Sequence, residues 1–306
     1  MFIPALYSLL FPIAVLLNSM AAWVSVHVPS TSTFMVYLKN LVLSDIIVTL
    51  MIPVEVFQEL HTGPPAFHMF YCRYLSPVKY ICMYISISLM GLISLDRFLK
   101  IVQPCGQTQC CQNLLFGRLI SASIWVILIA TTGLPTMVLT NRYPNVSNPV
   151  GSCMVYKGVQ GVTLHEGVII TLNLYFWLVC VLVVVCYMCI GKAVVQSFRN
   201  SGSNNSQAKQ KTKLRVFLVL VVFLVSFGPY HLVRIPYTFQ QTKRVAFCRD
   251  EWSHYAKELG LFFATANICL DPILYFFLCR EFSEKVKSMI KDAGDRMPKN
   301  WRSGTT

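Results

Sequence analysis

The chain has 306 residues, of which 55% are hydrophobic and only 13% charged, with a net charge of +13 and a mean hydropathy of +0.56. A soluble globular domain carries about a quarter of its residues charged, so this composition excludes an ordinary soluble globule and directs attention to a membrane protein. No metal-ligand spacing or nucleophile motif is present, so the chain is not expected to be an enzyme.

Crossing the hydrocarbon core takes about 20 mostly apolar residues. Seven stretches meet that requirement, near residues 3–26, 34–58, 70–96, 115–139, 163–190, 214–237 and 255–278. Alternating segments of strand length are missing, which argues against a barrel. The expected fold is therefore all-α, a seven-helix membrane bundle over residues 1–279, with residues 280–306 forming a short amphipathic helix and a tail.

The first stretch has no basic residue ahead of it and no small-residue cleavage site, so it reads as a spanning helix and not as a removed signal peptide. It carries Asn18. The second contains LVLSD, ending at Asp45. The third begins near Cys72, carries Ser86, and ends in LISLDRFLK with Asp96 and Arg97 adjacent. Such a pair holds itself together until Arg97 is offered to a partner, or it is an interfacial pair that merely snorkels. In the following loop Cys110 and Cys111 are candidates for palmitoylation.

The fourth stretch carries Trp125 and the fifth Tyr187. Between them lie a sequon at Asn145 and Cys153. Residues 200–210, NSGSNNSQAKQ, read as a flexible loop. The sixth stretch ends in FGPYHLVRIPY, where His231 and Arg234 interrupt an apolar run and Pro229 removes a backbone hydrogen bond. The seventh holds Asn267 and DPILY, with Asp271, Pro272 and Tyr275. After Cys279, Phe282, Val286, Met289 and Ile290 recur at helical spacing among Lys and Glu, the pattern of a helix lying on a membrane surface.

Orientation follows from Lys and Arg. Six lie between Lys192 and Arg215 and seven follow Cys279, which predicts an extracellular N-terminus, a cytoplasmic C-terminus and residence in the plasma membrane. That assignment leaves 17 basic residues inside and nine outside. The inner share follows from topology and attraction to anionic membrane lipid. The outer share calls for an anionic partner, and no nucleic-acid partner is expected. Cys72 and Cys153 both face an oxidising compartment, so a disulfide between them is expected. Asn145 lies in the same outer loop and is a glycosylation candidate.

Ionisable residues inside a membrane are costly and face bundle interiors or cavities. Asp45, Asp96 and Asp271 meet this description. Asp45, Ser86, Asn267 and Asp271, with Asn18, form a candidate mid-membrane polar cluster, either a hydrogen-bond network alone or one around a sodium ion. No other cofactor is expected.

Asn18, LVLSD, Cys72, DRF in place of the usual DRY, Trp125, Cys153, Tyr187, the F-x-x-S-F-x-P run ending at Pro229, and DPILY, in this order, resemble a rhodopsin-like G-protein-coupled receptor over nearly the whole chain. MYISISLMGLISLDR, LPTMVLTNR, HLVRIPYT and NICLDPILYFFLC are more specifically similar to metabotropic purinoceptors of the ADP and UDP-sugar receptor branch. The resemblance implies a receptor for an extracellular nucleotide or nucleotide sugar that acts through an inhibitory heterotrimeric G protein to lower cyclic AMP, with arrestin and a receptor kinase as further partners.

By matching positions, Tyr80 would lie against the base. His231, Arg234, Tyr237, Gln241 and Lys257 would meet phosphate and ribose, and Lys157 and His165 would close the top. Arg234 offers a forked permanent cation suited to phosphate. The bland alternatives are an Arg234 that snorkels, a His231 that only packs, and a Lys257 neutralised by Glu258. The activation set implied is Asp96, Arg97, Tyr187, Phe227, Pro229, Asp271, Pro272 and Tyr275, with Pro229 as the hinge of a lever that opens the inner side near Lys211 to Arg215.

The chain departs from the pattern at Ile169, where nucleotide-binding relatives carry a polar residue, and at Val179, where most such receptors carry proline. The sequence opens at the first helix, so the partner expected for Cys248 is not in it. Lys243 and Arg244 read as solvated loop charges. Two other readings stay open: a receptor for an anionic lysophospholipid-like ligand, or an orphan, with Ile169, Leu172 and Phe176 as an apolar channel; and, more remotely, a transporter or channel with Asp45 and Asp271 on the ion path.

Overall fold

A computed structural model describes residues 2–60, 63–102, 113–142, 153–200, 206–242 and 251–296. Seven helices among them are long and apolar enough to cross a membrane. They are α1 (Phe2–His27), α2 (Thr33–Glu59), α3 (Pro65–Val102) and α4 (Leu114–Leu139), α5 (Val159–Asn200), α6 (Ser206–Gln241) and α7 (Glu251–Leu278). An eighth, α8 (Arg280–Arg296), follows at once. No strand occurs among the described residues.

Local chemistry sets several boundaries. Ser32 caps α2 by accepting from the Met35 amide at 3.4 Å, and Asn113 caps α4 through the Leu115 amide at 2.9 Å, each satisfying a donor that the first turn leaves unpaired. α3 begins five residues before its predicted start, with a π turn over Tyr71–Leu75. α6 begins at Ser206, so part of the stretch expected to be a flexible loop is helical. Gln207, Ala208, Lys209 and Gln210 are all strong helix formers, and their propensity carries the helix past the apolar run.

α3 is the central helix and α4 the most peripheral, judged by how much of each is buried. α1, α2, α3, α5, α6 and α7 form a ring of successive neighbours closed by α7 on α1, with α4 outside against α2 and α3. Asn40 accepts from the Trp125 indole at 3.2 Å and so ties α4 to α2. Leu9, Leu16, Leu50 and Leu178 are among the large apolar side chains left exposed. On a membrane bundle that surface faces lipid, where it costs nothing.

Proline and glycine shape the ring at two places. Pro272 has no N–H to give the Ile268 carbonyl one turn back, and Asn18 Nδ2 donates to that carbonyl instead at 3.0 Å, joining α1 to α7. Gly260 of α7 sits against the α6 backbone beside Pro229: a Cβ there would lie 2.8 Å from Tyr230 Cα and 2.9 Å from its amide nitrogen. Only glycine permits that approach.

The surface helix is amphipathic as expected, but only part of its apolar stripe is covered. Phe282 and Val286 are buried, Phe282 with its ring 5.8 Å from that of Tyr275. Ile290 stays exposed. Asn145, Cys248, Lys243, Arg244, Cys110 and Cys111 lie outside the described residues.

Candidate ligand-binding site

Cys72, near the start of α3, is disulfide-bonded to Cys153. The bridge holds a short 3-10 turn, Cys153–Tyr156, over the bundle, and the Arg142 amide donates to the Tyr156 carbonyl at 2.9 Å. Lys157 follows directly and is buried, and its Nζ donates to His165 Nδ1 at the start of α5 at 2.8 Å. Burial, and then the nearby Arg234 charge, lower the Lys157 ammonium to about 7.

Below this turn is a cavity of about 180 Å3. Tyr80, Lys157, His165, Arg234, Tyr237, Gln241 and Lys257 line it, so seven of the eight residues expected around a ligand converge on one space. Arg234 is 5% exposed, and its Nε is buried without a hydrogen-bond partner. Its guanidinium carbon lies 5.8 Å from the ring centres of Tyr80 and Tyr230 and 5.9 Å from that of Tyr237. A guanidinium in this position does not snorkel to a headgroup. It is held among π faces inside the bundle.

His231 is placed differently. It does not line the cavity and packs beneath it, its ring stacked on Phe176 with centroids 3.8 Å apart. Nδ1 lies 2.8 Å from the Phe227 carbonyl, which can only accept, so Nδ1 carries the proton; Nε2 then accepts from the Tyr84 hydroxyl at 3.1 Å. The three-residue offset from Arg234 turns His231 toward α3 and α5. Lys257 lines the cavity, but its ammonium donates to the neighbouring Glu258 carboxylate, which His254 also approaches at 3.7 Å. The neutralised reading of Lys257 thus has a direct geometric counterpart.

A second buried ion pair, not among the sequence expectations, joins α2 to α3. Glu55 of α2 and Lys79 of α3 meet at 2.9 Å with both side chains almost fully buried. Tyr71 donates to Glu55 at 2.8 Å, and Lys79 reaches the Tyr7 hydroxyl at 3.3 Å. Glu55, Glu59 and Glu258 all line the cavity. The rule that singled out Asp45, Asp96 and Asp271 applies equally to Glu55, which sits in the apolar run MIPVEVF and was legible on the same grounds.

A smaller cavity of about 20 Å3 lies deeper, lined among others by Asp45, Ser86, Asn267, Lys79 and Phe227. Tyr275 donates to Asp45 at 3.0 Å and Asn267 to Asp271 at 2.7 Å. Asn18 Oδ1, Asp45 Oδ1, Asn267 Oδ1 and Asp271 Oδ1 are buried with no partner among the described residues. This is an all-oxygen acceptor set of the type that suits a hard cation or water.

At the opposite end of α3, Asp96 accepts from Thr33 at 2.6 Å and meets Lys100 at 2.9 Å, closer than Arg97 at 3.6 Å. The Arg97 guanidinium lies over the Phe34 ring at 3.9 Å. Tyr187 and Phe227 are buried. Ile169 and Leu172 line the cavity around Arg234, whereas Phe176 does not and is covered by His231.

The sequence profile described as 7 transmembrane receptor (rhodopsin family) matches residues 17–275. The Y-type purinoceptor 13 of Homo sapiens is 40% identical over 287 residues, covering 94% of this chain and 80% of that protein. The Y-type purinoceptor 14 of Bos taurus is 38% identical over 283 residues, covering 92% and 83%. G-protein coupled receptor 87 of Mus musculus is 38% identical over 288 residues, covering 93% and 78%. With seven membrane-length helices and this similarity along nearly its whole length, the chain is a multi-pass membrane receptor and not an enzyme, and it belongs to the rhodopsin family of seven-transmembrane receptors and, within it, to the Y-type purinoceptors.

Proposed function

We propose that this receptor binds an extracellular nucleotide or nucleotide sugar in the outer cavity and signals through an inhibitory G protein to lower cyclic AMP. The observation that carries the reading is Arg234: a permanent cation, buried, with an unpaired Nε and three tyrosine rings around it. A buried guanidinium left this way is costly unless an anion completes it, and phosphate oxygens match its fork. Similarity to the purinoceptors numbered 13 and 14 supports the nucleotide class. Lys157, His165, Tyr237, Gln241 and Lys257 would complete the contacts, with Tyr80 against the base.

In the same proposal the N-terminus is extracellular and the C-terminus cytoplasmic, Asp45, Ser86, Asn267 and Asp271 hold a sodium ion in the inactive form, and Pro229 is the hinge through which α6 moves. Asp96 would release Arg97 as the G protein enters, with Tyr187, Phe227, Pro272 and Tyr275 rearranging. Arrestin and a receptor kinase would act on the cytoplasmic side.

The test is a screen of nucleotides, nucleotide sugars and lysophospholipids on cells expressing the chain, read as cyclic AMP suppression with and without pertussis toxin. Arg234→Ala should weaken the response to the best nucleotide at least about a hundredfold at unchanged surface expression, the loss expected for a charge-assisted fork in a dry site. An unaltered response would remove Arg234 from phosphate binding. Displacement of a bound nucleotide by lysophospholipid alone would favour the lipid reading, for which Ile169 and Leu172 supply an apolar wall.

A further inference from the structure

The Glu55–Lys79 pair stands between the two cavities. Glu55 lines the larger one, around Arg234, and Lys79 lines the smaller one, with Asp45 and Asn267. Tyr80 and Leu261 border both, so the cavities share a wall. The pair is nearly fully buried and closes at 2.9 Å. Lys79 Nζ also donates to the Tyr7 hydroxyl at 3.3 Å, and that hydroxyl lies 3.5 Å from Oγ1 of Thr265, which lines the smaller cavity. One polar chain thus runs from Glu55 of α2 through Lys79 of α3 and Tyr7 of α1 to Thr265 of α7, from the wall of one cavity to the wall of the other.

The polar cluster at the smaller cavity contains the carboxylates of Asp45 and Asp271, each with a buried oxygen that has no partner among the described residues. Lys79 is the one basic side chain among the described residues of that cavity's wall. Its ammonium rides on a flexible four-carbon stem, so the carboxylate it meets is decided by competition. Glu55 wins this competition through added contacts. Tyr71 donates to Glu55 at 2.8 Å, and Tyr7 accepts from Lys79 while its ring centre lies 4.9 Å from Nζ. Lys79 is therefore paired with Glu55 and not with Asp45 or Asp271, and its charge is cancelled where it borders the smaller cavity. Without Glu55 the same ammonium would supply the positive charge that the aspartates call for, because an unpaired buried charge is costly. A second cation would then meet like charge in a space where water screens it little.

We propose that Glu55 keeps the smaller cavity open to a free monovalent cation by holding and neutralising Lys79, and that loss of Glu55 lets Lys79 take the place of the ion. This rests on the sodium reading of Asp45, Ser86, Asn267 and Asp271 and adds a positioning residue that controls that site from the neighbouring cavity.

The test follows the unfolding temperature of the purified full chain, without nucleotide or G protein, in rising sodium chloride. Choline chloride makes up the ionic strength, so only sodium-specific stabilisation registers. The wild-type chain should be stabilised by sodium. Glu55→Gln should weaken the apparent sodium affinity at least about tenfold, the low end of what one neighbouring charge does to the binding of a proton. In choline alone the same variant should unfold close to the wild-type temperature, because Lys79 gains the carboxylates it borders. Adding Lys79→Met to Glu55→Gln should restore the sodium response, since it removes the charge that displaced the ion, and replacing both members of a buried pair is tolerated better than replacing one. Lys79→Gln in the same background repeats the rescue with a side chain that keeps a donor. An undiminished sodium response in Glu55→Gln would overturn the proposal, and so would a Glu55→Gln chain that does not fold, since Lys79 would then have found no other carboxylate. Failure of both Lys79 replacements to restore the response would mean that Glu55 does not act through Lys79, again overturning it. A response missing from the wild type but present in the double variants would mean that Lys79 fills the cavity in spite of Glu55, and the role of Glu55 would fall. No sodium response in any of these chains would sink the sodium reading together with this inference.

Discussion

At Lys157, burial and a neighbouring charge act in the same direction. Taking an ammonium out of water and setting it near Arg234 both favour the neutral amine, and they lower this group to about 7. An anion entering the cavity reverses the second effect and raises the value, so binding takes up a proton once the free amine is neutral. Affinity should therefore be highest below pH 7 and fall as pH rises above it, approaching about tenfold per unit. The probe should be a diphosphate diester such as a nucleotide sugar, because a terminal phosphate titrates near pH 6 itself. Lys157→Arg should flatten the profile between pH 6 and 8, since guanidinium stays charged. A slope that persists in this variant would point to His165, which accepts from Lys157. The residue scale is also where sequence reading was least complete. Lys257 and Glu258 are adjacent in the chain, so their pairing was foreseeable as an alternative. Glu55 and Lys79 are 24 positions apart on different helices, and nothing one-dimensional says that they meet.

Between elements, the contact that matters most for mechanism is that of α6 with α7. Gly260 brings α7 onto the α6 backbone at Tyr230, next to the proposed hinge at Pro229. Replacing it by alanine sets two effects against each other. Helix propensity favours alanine by about 1 kcal/mol, while overpacking costs about 1–3 kcal/mol. The new methyl would meet backbone atoms at 2.8 and 2.9 Å, which cannot rotate away, so the cost wins. Gly260→Ala should lower the unfolding temperature of the purified receptor. Gly191→Ala in α5, where a Cβ meets nothing within 4 Å, should leave it unchanged or raise it slightly. A stabilised Gly260→Ala would mean that the two helices separate easily at this level. Pro272 makes the same point about elements: its missing N–H became a tie to α1 because Asn18 was there to replace it.

For the whole molecule, two sites at opposite ends of one bundle should be coupled if α6 is the element both of them bias. Outer ligand and inner G protein then favour one conformation, and each tightens the other by the same factor, roughly 5- to 150-fold. Agonist affinity should accordingly rise in that range when purified inhibitory G protein free of guanine nucleotide is added, and fall back on adding a GTP analogue. A Pro229→Ala variant should narrow the gap. Equal affinity with and without G protein would remove the lever from the mechanism.

The seven helices and the all-α class were readable from the chain because lipid imposes a local rule: about 20 apolar residues in a row, with every backbone group bonded within its own segment. Composition along one dimension is enough to satisfy or break that rule. Which charged groups neutralise each other is a different kind of question, set by how each helix is rotated and which neighbour it faces. Only the packed bundle paired Glu55 with Lys79, turned His231 beneath the cavity, and enclosed Arg234 among three tyrosine rings with its Nε unpaired.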